Sequence, residues 1–203
     1  MTVLIDTDAF CKLGVAGLLE PSVAALGSEL RECARLPSLP HMLRRGALPR
    51  IYGDEACDNL LSLIGSVPSI DSPAAHWLDH LVPVDAIDPG EAQVFAKAAE
   101  TDALVLTGDK RALQALARVP VLPQALSGRI VVLEAILGVL CQTRGPEAIR
   151  AAVRPILHAD TVIRMCFSGD NPSPAEGLAS YFADLRRQVD PLELWTPTGG
   201  ARE

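Results

Sequence analysis

Short apolar runs that each end on an acidic residue, separated by helical patterns, constrain this chain more than any other feature. Val3-Leu4-Ile5 leads into Asp6-Thr7-Asp8, and Leu104-Val105-Leu106-Thr107-Gly108 leads into Asp109. Between them, Asp88-Pro89-Gly90-Glu91 opens a helix. A short, continuous apolar run marks a strand buried on both faces, and strands that alternate with helices pair in parallel with helices over both faces. Residues that follow such strands meet in the crevice outside their carboxyl ends. The pattern therefore predicts an α/β fold, a three-layer α/β/α sandwich around a parallel sheet of roughly four or five strands, with carboxylates gathered at one edge.

Strands are expected over 2–6, 33–39, 82–87, 103–107 and 129–133. Pro37 confines the second to an irregular or edge position. Helices are expected over 9–19, from 21 to about 31, as three short pieces between 40 and 81, from 88 to about 100, and over 110–117. The start at Asp88 is the best marked, with Asp at the N-cap, Pro at N1 and Glu at N3. After Glu134 the pattern is helical only, at about 134–142, 146–158 and 174–189, with joints at Gly145-Pro146 and at a Gly-Asp-Asn-Pro-Ser-Pro linker over 169–174. This divides the chain into an α/β unit over 1–133 and a helical C-terminal extension over 134–203.

Hydrophobic residues make up 49% of the 203, charged residues 21%, and mean hydropathy is +0.24, values of a globule with a real core. No apolar run approaches the roughly 18 residues that span a bilayer. Asp6 and Asp8 interrupt the apolar start where a signal peptide would need a long core, so a cytoplasmic location is expected. Five cysteines without a C-x-x-C pair indicate buried free thiols, neither a zinc ribbon nor a disulfide framework. A net charge of −7 and a pI near 5.1 argue against broad nucleic-acid binding through a basic surface. Local clusters at Arg44, Arg45 and Arg50, or Lys110 and Arg111, are either solvated faces or phosphate contacts. Aromatic residues at 4% provide no evident platform for base stacking.

Several ionised carboxylates packed together repel one another unless a cation neutralises them or their pKa values rise. Oxygen-only ligation selects a hard ion, Mg²⁺ or Mn²⁺ rather than zinc, because no Cys or His accompanies the acids.

In order and spacing these motifs resemble the PIN-domain ribonucleases, the fold of many bacterial toxin nucleases. The resemblance rests on Leu4-Ile5-Asp6-Thr7-Asp8, Ile87-Asp88-Pro89-Gly90-Glu91-Ala92 and Val105-Leu106-Thr107-Gly108-Asp109-Lys110, and covers roughly residues 1 to 133. It implies that Asp6, Glu91 and Asp109 hold one or two Mg²⁺ or Mn²⁺ ions that activate water against an RNA phosphodiester. RNA is then the substrate, single-stranded RNA included. A protein partner of antitoxin type and a homodimer fit the same resemblance, although the chain is longer than the compact toxin nucleases.

Many members carry a further acid between the Glu and the last Asp, and Asp102 is the one Asp in that interval. Asp102 precedes its strand, about five residues at roughly 3.3 Å each from Asp109, at the opposite end of the sheet. It is therefore left out of the site. Asp8, in the same loop as Asp6, is the better supplementary acid, and Thr107 is placed to hydrogen-bond a ligand carboxylate or the phosphate.

Each acid also has a plainer explanation. Asp88 and Glu91 form a capping box, and Asp6, Asp8 and Asp109 sit where helix caps are expected. Two other functions remain open. Asp6-Thr7-Asp8 and Gly108-Asp109 also resemble the loops of a haloacid-dehalogenase-type phosphatase, although Phe10 stands where that family has Thr or Val. A non-catalytic binding or regulatory protein on the same fold is the other. His76 and His80, four apart on a helix, lack the Glu of a zinc-protease pattern and read as an exposed face with Trp77 and Leu78 turned inward.

Overall fold

Apolar runs without alternation become strands covered on both sides, and the sheet is built from four of them. A computed structural model describes residues 2–169 and 173–197. The strands are β1 (Val3–Ile5), β2 (Cys33–Arg35), β3 (Leu104–Thr107) and β4 (Ile130–Val132), all parallel, in the order β2-β1-β3-β4. Ile5 lies in register with Arg35 on one side and Leu106 on the other, and Leu106 with Val131.

The strand side chains divide between two cores. Val3, Ile5, Leu104, Leu106 and Val131 point to one; Leu4, Val105, Ile130 and Val132 point to the other. On the first face lie α1 (Thr7–Val15), α2 (Leu19–Ala25), α3 (Leu39–Arg44), α5 (Asp54–Ile64) and α10 (Leu133–Arg144). The second is covered by α6 (Ala75–Leu81), α7 (Pro89–Glu100), α8 (Lys110–Leu116) and α9 (Leu122–Ala125). A short α4 (Leu48–Tyr52) joins α3 to α5.

Residues 82–87, expected as a strand, are a pair of turns instead. Val84 and Ile87 donate their amides to Leu81 and Val84 respectively, and Pro83 has no amide to offer a ladder. Only Leu81 and Ile87 bury deeply, while Val82 is 70% exposed. The apolar residues thus pin a turn to the second core, and the sheet has four strands. β2 ends at Arg35, ahead of Pro37. Beyond it, Arg35 bridges to Ser69, and the amide of Ile70 donates to Arg35.

After β4 the chain is helical except for one bridge, from Leu194 to Ile130 at the free edge of β4. The helix expected over 146–158 is α11 (Pro146–Val153) followed by a 3-10 turn at Pro155. A further helix, α12 (Thr161–Phe167), is capped by Asp160, and α13 (Pro174–Gln188) completes the set. Leu133, Ile136 and Leu137 of α10 pack in the same core as Val3 and Ile5. Residues 170–172 of the expected linker lie outside the described residues. Among the described residues no helix is long and apolar enough to cross a membrane, and all five cysteines are buried and unbridged.

Candidate metal centre

The strand order reverses between β1 and β3, so the loops leaving these two strands diverge around a crevice at the sheet's carboxyl edge. Asp6 follows β1 and caps α1: its Oδ1 accepts the amide of Thr7 at 2.7 Å. Asp109 follows β3 and caps α8, its Oδ1 accepting the amide of Ala112 at 2.9 Å. Asp88 caps α7 with its Oδ1, which takes the amides of Gly90 and Glu91 at 2.7 and 2.8 Å. Glu91 closes the capping box, its Oε2 accepting the Asp88 amide at 2.8 Å.

The plain explanation of each acid is therefore realised, and every one of them anchors a helix start. Capping accounts for one oxygen of each carboxylate. It does not account for their convergence: Asp6, Asp8, Asp88, Glu91 and Asp109 line one cleft of about 360 Å³, walled on the far side by Leu36, Met42 and Leu48. Nor does it account for burial, since Asp6 is 6% and Glu91 7% exposed.

Burial, followed by the neighbouring Asp8 carboxylate, pushes Asp6 up to about 7. Burial also pushes Glu91 up to about 8, with Asp88, Asp109 and Asp6 adding repulsion. Desolvation raises Asp8 too, against the opposing charge of Lys12. Two buried acids driven toward protonation by their surroundings oppose folding at neutral pH, and such perturbed groups cluster in functional sites.

Thr107, 1% exposed, joins the two strand ends. Its hydroxyl donates to Asp6 Oδ2 at 3.3 Å and accepts the Asp109 amide at 3.3 Å. Gly108 keeps the loop narrow: a Cβ there would lie 2.4 Å from Asp8 Oδ2 and 2.7 Å from Leu133 Cδ1. Gly90 has a similar constraint from Leu36, 2.7 Å from the position of its missing Cβ.

All five residues expected in the site, Asp6, Asp8, Glu91, Thr107 and Asp109, thus lie at this edge, and the four acids line the cleft. Asp102 lies at the other end of the sheet, in a hollow with Thr2 and Ala103. His76 and His80 are exposed, with Trp77 and Leu78 half-buried beneath them.

Three participants escaped the sequence reading. Asp88 lines the cleft as well as capping α7. Glu134, 4% exposed in the first turn of α10, pairs with Lys110 at 2.7 Å through Oε1, and its Oε2 is buried without a partner. It stands after β4 as Asp6 stands after β1, and the run Ile130-Val131-Val132-Leu133-Glu134 carried the same signal of a strand followed by an acid. Lys12 and Asp160 form an ion pair at Asp8, and nothing in their spacing marked them.

The donors are all oxygens, which suits a hard divalent ion. As the side chains stand, no group of three or more His, Cys, Asp or Glu among the described residues is gathered closely enough to hold one. Ligation calls for rotamer changes in the carboxylates while their anchored helix starts stay in place. A larger groove of about 440 Å³ between α1 and α5 has Glu20 as its one charged lining residue, so the chemistry concentrates at the acidic cleft.

Fold and site together define an α/β protein with an acid-lined cleft at the switch point of a parallel sheet. No family model matches the chain, and no curated protein or solved structure matches it.

Proposed function

We propose that this protein is a PIN-type endoribonuclease that hydrolyses RNA phosphodiester bonds with Mg²⁺ or Mn²⁺. One observation carries the reading: acids from β1, α7 and β3 line a single cleft, two of them buried and pushed up to about 7 and about 8. A cation in the cleft would relieve the burial and repulsion responsible.

Asp6, Glu91 and Asp109 would hold the ion, with Asp8 and Thr107 in support. A bound Mg²⁺ or Mn²⁺ supplies a more acidic water and positive charge toward the phosphate. Thr107 orients Asp6, the α7 capping box orients Glu91, and the amide of Ala112 orients Asp109. In the absence of an ion Asp6 and Glu91 retain protons near neutral pH, and they release them when they ligate. No side-chain nucleophile is required.

The test is cleavage of labelled single-stranded RNA and DNA with Mg²⁺ or Mn²⁺, comparing wild type with a folded Asp6→Asn/Asp109→Asn variant. The expected result is RNA cleavage by the wild type alone, abolished by chelator. Mn²⁺ binding without cleavage would replace this reading with a non-catalytic protein on the same fold. Metal-dependent release of phosphate from a small ester, with RNA left intact, would replace it with a phosphatase.

A further inference from the structure

Asp8 enters the cleft with a cation already attached. One turn along α1, the ammonium of Lys12 lies 2.7 Å from Asp8 Oδ2 and 2.7 Å from Asp160 Oδ2. Lys12 is 6% exposed, and the side chain of Asp160 is 8% exposed. Asp160 is itself fixed, because its Oδ1 caps α12 by accepting the amide of Ile163 at 2.9 Å. The Asp8 carboxylate sits over Gly108, in space that any Cβ would occupy. The ammonium is thus held by two carboxylates from opposite ends of the chain, one lining the cleft and one rooted in the C-terminal helices.

We propose that Lys12 is a built-in counter-ion that occupies the cation position at Asp8, so that the cleft takes one divalent ion and not two. This rests on the metal-centre reading above. An ion bridging Asp8 to the central acids would have to draw Oδ2 away from Lys12 and leave a buried ammonium on Asp160 alone. Asp8 is then a positioning acid: it carries Lys12 and, through it, docks Asp160 beside the cleft. The ion is left to Asp6, Glu91 and Asp109. Without Lys12, Asp8 and Asp160 would be two buried carboxylates facing one vacated cation position.

The test counts Mn²⁺ bound per full-length chain, by calorimetry and by electron paramagnetic resonance of the free ion. Wild type should bind one ion, Lys12→Met two, and Lys12→Met/Asp160→Asn one again. Two ions on the wild type would overturn the proposal, and so would a folded Lys12→Met that still binds one; either leaves the metal centre standing. No ion on wild type or variant would remove both. The wild-type count needs no variant, so the proposal stays exposed to refutation even if Lys12→Met folds only with Mn²⁺ present.

Discussion

The hydroxyl of Thr107 donates to Asp6 Oδ2 at 3.3 Å, tying the carboxyl end of β3 to that of β1. The same oxygen accepts the amide of Asp109, so one buried side chain sets the spacing of two acids that are far apart in sequence. Thr107→Val keeps the shape and removes the link. We expect Mn²⁺ affinity to fall about tenfold, the lower end for lost outer contacts to metal ligands, with a stability loss of about 1 kcal/mol. Calorimetric titration and thermal melting measure the two.

Glu91→Gln separates capping from ligation. Glutamine closes a capping box as glutamate does but carries no charge for burial to oppose. The metal-free variant should melt at or above the wild-type temperature, and the rise in Tm that Mn²⁺ gives the wild type should be absent. A variant that retains that rise would show that Glu91 serves α7 alone.

The pH dependence of stability follows from the raised acids. Asp6 moves up from 3.8 to about 7 and Glu91 from 4.5 to about 8 in the folded chain. Between the ordinary and the folded values the native state binds more protons than the unfolded one, so stability falls as pH rises. Metal-free protein should lose about 1–3 kcal/mol between about pH 5 and about pH 8. Saturating Mg²⁺ should offset the loss and Asp6→Asn should flatten it, both readable from urea unfolding across pH. A metal-free protein that gains stability over that interval would contradict the assignment.

Gly108→Ala should displace Asp8 or Leu133, since the added methyl would overlap both. Overpacking of this kind costs about 1–3 kcal/mol. Displacement of Asp8 would also strain its bond to Lys12. We expect a lower Tm with the far-ultraviolet circular dichroism unchanged.

Lys12→Met should be harsher in metal-free protein, because breaking a buried pair leaves Asp8 and Asp160 uncompensated, at about 3–5 kcal/mol. Lys12→Met/Asp160→Asn should recover part of the loss in denaturant unfolding.

Most of this architecture was legible wherever the signal is local. Runs such as Val3-Leu4-Ile5 and Leu104-Val105-Leu106 can be buried on both faces only as central strands, and Asp88-Pro89-Gly90-Glu91 declares a helix start by its own hydrogen bonds. Residues 82–87 misled because Val82, Val84 and Ile87 have strand composition, while the chain there anchors a turn by Leu81 and Ile87. Pro83 was the local sign against a strand. The acids after β1 and β3 were readable as one edge; Glu134 after β4 carried the same sign. The pairing of Lys12 with Asp160 spans 148 residues and depends on how α12 packs, which no local pattern encodes.

The central claim is that Asp6, Glu91 and Asp109 share one divalent ion. Anomalous diffraction at the manganese edge from crystals soaked in Mn²⁺ near neutral pH tests it most directly. The account predicts a single peak in the cleft, ligated by oxygens of these three residues, with Asp8 still on Lys12. A cleft without anomalous density at saturating Mn²⁺ would contradict it and leave the acids as helix caps.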